Sequence, residues 1–288
     1  MKSILTLLVL CVLAAFTFPP NGKKPNLTKS YKYIPSGVMT LPDGKEVSIQ
    51  GFYLFETEIT NLDYREFLYY LEHNGRTADL EVARIRNEAW ESAMTYSEPL
   101  SAHYHTHPAY EGYPVVNVSH EAAELYCHWL TQILQDQNPE WIVQVRLPTE
   151  AEWMYAASGG RTPTPYPFGP YLRNTKGEFL YNFKRIGDES IHQGNGTLEI
   201  MDVPEKQVAY PKTLGPAPAR SNQPNEFGLY NTCGNVAERI AEPGRTKGGS
   251  FNSTGYDIRI DAPDVYAGTT GPSPFIGFRP LVTMRKRA

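Results

Sequence analysis

Apolar and polar positions alternate or repeat in several blocks of the chain, and the first block predicts a strand and then a helix. Alternation of period two over Val47–Leu54 predicts the strand. Thr60 and Asp63 have the spacing of a capping box, and Ile59 with Tyr64 makes a hydrophobic staple, so a helix is predicted to begin after Thr60. The apolar stripe of this helix is Leu62, Phe67, Tyr70 and Leu71.

A second block predicts a longer helix, a strand and a short helix. Ser119 is the expected N-cap of a helix from Glu121 to Gln135. Its apolar residues recur at helical spacing: Ala122, Leu125, Tyr126, Trp129, Leu130, Ile133 and Leu134. A strand is predicted over 143–147, and a capping box that begins at Thr149 predicts a helix over Glu150–Ala157.

The remaining segments carry weaker patterns. Residues 78–93 are predicted as a helix and 113–118 as a short apolar strand, whereas 159–218 is rich in turns. His103, His105 and His107 alternate, and on a strand they would form a facial metal triad. A surface loop is the favoured alternative, because no carboxylate or cysteine nearby completes a ligand set.

Composition limits the class of protein. The 288 residues include 24 prolines, 23 glycines and 19 tyrosines, which favours a single loop-rich, aromatic-rich domain over a helical bundle. The formal net charge of −4 gives no reason to expect nucleic-acid binding. The basic run 285–287 is expected to be a solvated terminus.

The N-terminus predicts export. Lys2 precedes an apolar run from Ile4 to Phe18, which is too short for an ordinary membrane span and is typical of a signal sequence. Cys11 raises the alternative of a lipoprotein, although Leu10 occupies a position where a small residue is normal. The predicted boundaries are 1–18 for a signal peptide or N-terminal anchor, 19–46 for a lead-in and 47–288 for the domain.

Several motifs occur in an order that is more specific than any one of them. They are Pro114–Ser119, Tyr126–Trp129, Arg146–Trp153, Phe227–Glu238, Lys247–Phe251 and Gly277–Arg279. Together they resemble the formylglycine-generating enzyme family, the sulfatase-modifying-factor domain. The resemblance covers about Val47 to Met284 and implies a single irregular, loop-rich α/β (α+β) domain related to C-type-lectin-like folds.

The resemblance also implies a copper centre that this chain lacks. In the family, two cysteines between the Gly-Gly-Ser turn and the Gly-Phe-Arg strand bind copper, but residues 252–276 contain no cysteine. The two positions fall near Ser253 and Ile258, and neither residue is a ligand for Cu(I), so we expect no copper. The family disulfide partner of Cys127 is Pro280 here, so Cys127 and Cys233 are expected to be free thiols.

The resemblance implies calcium as well. The residues that match one family site are Asn231, Gly234, Val236 and Glu238, which offer the hard oxygen ligands that calcium requires. A second site is expected to begin at Asn182 and to end at Asp202, where the sequence departs from the family pattern.

Three functions are in competition. The expected function is an exported, non-catalytic binding or assembly component of the cell envelope, in the periplasm or at the outer membrane, with a protein partner there and with membrane association only through the N-terminus. Residues 107–116 also resemble gliding-motility and type IX secretion lipoproteins. The alternative is an enzyme of altered chemistry in the former cysteine cleft, with Ser253, Tyr256, Asp257, Arg259 and Asp261 as its residues. A true formylglycine generator is the least favoured.

Overall fold

A computed structural model describes residues 25–94, 97–161, 163–185, 190–194, 197–201 and 215–287. Its helices are α1 Asn61–His73, α2 Thr77–Ala83, α3 Glu88–Ala93, α4 Leu100–His103, α5 His120–Gln137 and α6 Glu150–Ala157. Its strands are β1 Tyr31–Ile34, β2 Gly37–Thr40, β3 Glu46–Ile49, β4 Phe52–Phe55, β5 Trp141–Arg146, β6 Ser190–Gly194, β7 Thr197–Met201, β8 Ala237–Arg239, β9 Thr246–Lys247, β10 Ile276–Phe278 and β11 Leu281–Lys286. A 3₁₀ turn covers Pro108–Tyr110.

A four-stranded antiparallel sheet in the order β1-β4-β11-β5 joins the two ends of the described chain. Strand β11 lies at its centre, where Val282 pairs with Tyr53 on one side and Val145 on the other. Helices α1 and α5 cover one face, and Tyr64, Phe67 and Tyr126 pack there as an aromatic cluster. This apolar face supplies the hydrophobic stabilisation of the sheet.

Side chains of α5 cover the free edge of β5. The Gln135 amide donates to Trp141 O at 2.8 Å, and its carbonyl oxygen accepts from Val143 N at 3.2 Å. One turn earlier, the Thr131 hydroxyl accepts from Val145 N at 3.0 Å. The backbone groups at this edge are therefore paired within the chain, as buried or half-buried peptide groups require.

The predicted helix starts are confirmed. Thr60 and Asp63 form a capping box at α1, Ser119 accepts a hydrogen bond from Ala122 N at α5, and Thr149 with Glu152 forms a second capping box at α6. Each cap satisfies amide groups that have no partner within the helix. Leu62, which the pattern placed on the apolar stripe of α1, is instead 44% exposed.

The second core lies between α6 and the β2–β3 hairpin. Trp153 and Met154 pack with Met39 and Ile49. A smaller sheet, in the order β10-β8-β9, lies beside this core; its β8–β10 pair is parallel, and Glu238 is in register with Gly277. This pairing brings the Asn-Val-Ala-Glu motif next to the Gly-Phe-Arg motif, which are far apart in sequence.

Four sequence predictions differ from the structure. The strand over 47–54 is two strands, β3 and β4, which are separated at Gly51, where a side chain would collide with Tyr33. Strands β1 and β2 lie in the segment 19–46, so the folded domain begins before Val47. Residues 78–93 lie in two short helices, and 113–118 forms no named strand but pairs through a single bridge at Pro114.

The structure confirms one irregular α/β domain with open sheets and long loops. Among the residues that the structure describes, no helix has the length and apolar character needed to cross a bilayer. The leader prediction for 1–18 and Cys11 lie outside the described residues.

Candidate functional site

A buried ion pair lies where the Asn-Val-Ala-Glu motif of β8 meets the Gly-Phe-Arg motif of β10 in the smaller sheet. Arg279 is fully buried and donates to both oxygens of Glu238, from Nη2 at 2.7 Å and from Nε at 3.0 Å. The Trp153 indole donates to Glu238 Oε2 at 2.8 Å. Burial alone would lower the pKa of Arg279, but the charge and hydrogen bonds of Glu238 outweigh burial and raise it.

A second buried carboxyl group lies beside this pair. Glu58 accepts a hydrogen bond from the Asn235 amide at 2.8 Å, while its Oε2 has no hydrogen-bond partner. Complete burial raises the pKa of Glu58 to about 8, although the positive charge of Arg279 acts in the opposite direction. Two carboxyl groups therefore lie beside one guanidinium, and Glu238 is the one that pairs with it directly.

The arrangement does not fit the calcium ligand set that the resemblance implies. The carboxylate of Glu238 is fully used by Arg279 and Trp153, and a guanidinium in direct contact opposes a divalent cation. The side chain of Asn231 binds the preceding loop, because its amide donates a hydrogen bond to Ala219 O at 3.0 Å. An arginine-paired carboxylate is a poor calcium ligand, and calcium binding at Glu238 stays a prediction.

The other residues of the two calcium sets hold chain segments together. Asn182 bridges to Gly234, and its carbonyl oxygen accepts from Asn235 N at 2.7 Å. Gly234 has φ +75°, and a Cβ there would lie 2.3 Å from that carbonyl oxygen, so only glycine fits. Val236 is buried in an apolar cluster, and Asp202 lies outside the described residues.

The former cysteine cleft is filled by hydroxyl groups. Ser253 is buried, and its Oγ accepts from Ser250 N at 2.9 Å and lies 3.1 Å from the Tyr266 hydroxyl. Ser250 Oγ lies 2.5 Å from the same hydroxyl. Burial is the largest cause of a raised pKa at Tyr266, so this phenol is a neutral hydrogen-bonding group and a poor general base.

The second former cysteine position is part of the hydrophobic core. Ile258 is fully buried and packs with Trp153 and Cys233. Neighbouring Asp257 accepts from the Thr254 hydroxyl at 2.7 Å and closes a local capping turn. The space beside Asp257 and Tyr266 is small and holds little more than a water molecule.

The remaining cleft candidates are bound to one another. Arg259 donates to both oxygens of Asp261, at 2.8 and 2.5 Å, and lies over the Tyr256 ring at 4.6 Å. The hydrogen bond to Asp261 is the largest cause of the raised pKa of Arg259. Tyr256, Arg259 and Asp261 therefore contact one another and do not line a common open pocket.

The thiols and histidines do not form a metal centre. Cys127 and Cys233 are free and buried, and burial raises the pKa of each thiol. The segment 103–107 is the end of α4 and a turn, not a strand, and His105 is buried against Asn61 with its pKa lowered by burial to about 3. In the described ranges no group of three His, Cys, Asp or Glu residues has metal-site geometry.

Comparison with known proteins identifies the family of this chain. Residues 24–284 match the sulfatase-modifying factor enzyme 1-like domain, so the chain belongs to this family. The chain is 27% identical over 257 residues to the formylglycine-generating enzyme of Mus musculus, with 76% of the chain and 59% of that protein covered. It is 26% identical over 270 residues to the inactive C-alpha-formylglycine-generating enzyme 2 of Bos taurus, with 83% and 76% covered.

Solved structures show the same fold. The crystal structure of CarF has a TM-score of 0.54 and 18% identity, with 90% of this chain and 98% of that chain covered. PvdO from Pseudomonas aeruginosa also has a TM-score of 0.54, with 17% identity and coverage of 91% and 99%. The chain spans about 59% of the length of the mouse enzyme.

Sequence reasoning missed the polar groups that hold the site together. Tyr266 lies outside the motifs, and only the pairing of loops places it between the two serines. Glu58 directly precedes Ile59, in the segment that was predicted to lead into a helix, and nothing in that local pattern indicates that it is buried. The sequence does point to Glu238 and Arg279, because each is the last residue of a family motif, but it does not show that they pair.

Proposed function

We propose that this chain is an exported, non-catalytic member of its family that acts as a binding or assembly component of the cell envelope. The observation that carries the proposal is the fate of the two former cysteine positions. Ser253 is tied to Tyr266, and Ile258 belongs to the core. A neutral hydroxyl and an aliphatic side chain offer no soft ligand for copper.

Two further observations support a loss of the oxidase chemistry. The two thiols of the described domain are buried and protonated, so neither supplies a thiolate in place of the missing pair. A relative that covers most of the chain carries the word inactive in its own name. The hydroxyl network and the Arg259–Asp261 pair fill the cleft with groups that satisfy one another.

Mass spectrometry of a sulfatase-type cysteine peptide tests the absence of catalysis. The peptide is incubated with this protein, Cu(I) and a reductant, and a parallel reaction contains the mouse formylglycine-generating enzyme. We expect the mass loss of thiol-to-aldehyde conversion only in the parallel reaction. The same mass loss with this protein would overturn the proposal.

A matched variant tests copper directly. C127A/C233A removes the two thiols of the domain, and titration with Cu(I) in the presence of a competing chelator compares it with the wild type. We expect the two to be indistinguishable, because buried thiols do not bind the ion. Stoichiometric binding that is lost in the variant would show that a thiolate centre exists.

Fractionation tests export and assembly. We expect the full chain in envelope fractions and a variant that lacks residues 2–18 in the cytoplasm. Size-exclusion chromatography of the solubilised envelope is expected to show the protein in a species larger than the 32.4 kDa chain. Equal distribution of the two forms, or elution at the size of the chain alone, would contradict this part of the proposal.

A further inference from the structure

The point at which the chain enters the fold is fixed at the C-terminal end of α5. Asn26 N donates to Asn138 Oδ1 at 2.6 Å, and Asn138 Nδ2 donates back to Asn26 O at 3.2 Å. Asn138 is buried and also donates to Leu134 O in the last turn of the helix. The described chain therefore begins at this corner of the domain.

The basic run at the other end of the chain lies at the same corner. Arg285 pairs with Ile142 and Lys286 with Trp141 in the β11–β5 ladder, and Arg287 N donates to Glu140 O at 3.0 Å. Trp141 N in turn donates to Asn138 O at 3.0 Å. The run 285–287, which was expected to be a solvated terminus, is exposed and is also held by strand pairing, and we call Arg285, Lys286 and Arg287 the basic corner.

The basic corner presents its charge to solvent. All three side chains are exposed, and Ile142 beside them is 42% exposed. Arg287 Nε also donates to Trp141 O at 3.3 Å, which holds this side chain at the corner. The carbonyl end of α5 lies here as well, which favours cations nearby.

The sequence before the fold places an apolar run within reach of this corner. Six residues, 19–24, separate Phe18 from Pro25, and they include Lys23 and Lys24. Fully extended, six residues span about 20 Å. An apolar run in a bilayer would therefore hold the basic corner within about two Debye lengths of the lipid headgroups at physiological salt.

We propose that the basic corner is a docking surface for an anionic lipid bilayer and that it orients the domain on the membrane from which its N-terminus emerges. The inference rests on the proposed envelope location for the identity of that membrane and on residues 1–18 being kept as an anchor. Position, charge and the adjacent apolar Ile142 all agree with a lipid surface as the occupant. The opposite edges of the domain then face away from the bilayer and remain open to a protein partner.

Vesicle partitioning of the full chain tests this docking surface. The wild type is compared with R285Q/K286Q/R287Q on vesicles of phosphatidylcholine alone and with added phosphatidylglycerol. Because each basic side chain near an anionic surface contributes about fivefold to partitioning, we expect the variant to lose more than about tenfold on the anionic vesicles. Raising the salt concentration should reduce the binding of the wild type more than that of the variant.

The matched control removes the same charge elsewhere. K45Q/R84Q/K176Q changes three exposed basic residues outside the β11–β5 ladder and should retain the binding of the wild type. Equal loss in both variants, or equal binding of wild type and R285Q/K286Q/R287Q, would overturn the inference. Because vesicles report lipid binding and fractionation reports location, failure of this inference and failure of the proposed function are separable. Thermal melts check that each variant is folded.

Discussion

Replacing Glu238 with glutamine separates a structural ion pair from a calcium ligand. The change leaves Arg279 fully buried with only the carbonyl oxygens of Phe55 and Tyr230 as strong partners. Breaking a buried ion pair by removing one partner costs about 3–5 kcal/mol. Because the charge of Glu238 helps to keep Glu58 protonated, removing it lets Glu58 ionise and partly compensate Arg279, so we expect the lower end of this range.

The corresponding shift is large enough for a simple assay. A loss of about 3 kcal/mol in a domain of this size lowers the Tm by about 6–12 °C. Thermal unfolding of wild type and E238Q is followed by circular dichroism, in buffer with calcium and in buffer with excess chelator. We expect the same difference between the two proteins in both buffers, because Arg279 and not a metal is the partner of Glu238.

Two controls complete the experiment. E81Q removes an exposed carboxylate that contacts Arg84 and Arg86, and it should leave the Tm unchanged. E238Q/R279M removes both buried charges and should be more stable than the sum of the single changes predicts. A Tm difference that vanishes in chelator would refute the ion-pair reasoning and restore the calcium assignment.

Two further predictions follow from buried titratable groups. Because Cys127 and Cys233 are buried, they should react with a thiol reagent only after the protein is denatured. Denaturation is carried out without reductant, so the absence of both thiols would reveal a disulfide instead. Because burial raises the pKa of Glu58 from 4.5 to about 8, its contribution to stability is complete below the lower value and is lost as the pH rises towards the higher one. E58Q retains the contact with Asn235 but does not titrate. The free energy of unfolding in urea should therefore depend less on pH between about 5 and 8 in E58Q than in the wild type. Identical pH dependence of the two proteins would contradict this.

Local signals predicted the helices well. Thr60, Ser119 and Thr149 each mark a helix start through a cap that acts within three or four residues. Such contacts are written in the sequence because both partners lie close together along the chain. The family motifs added the order of the elements and hence the fold.

Contacts between distant segments account for most of the differences. Strand β1 is only four residues long and exists because it pairs with β4, so its own sequence gives a weak signal. His103, His105 and His107 alternate in sequence, but they lie at a helix end and in a turn, so they do not share one face as they would on a strand. The partner of Glu238 is 41 residues away, and only the parallel β8–β10 pair brings the two side chains together.

The hydrogen bonds of Thr131 and Gln135 to β5 limit how this domain can associate with others. An uncovered outer strand is a template for strand addition by another chain, but here two side chains one helical turn apart occupy the amide and carbonyl groups along that edge. Another chain can therefore add a strand at β5 only if it first displaces these two side chains. Replacing both residues with alanine would leave the backbone groups of β5 unpaired and would favour aggregation through β-strand pairing between copies.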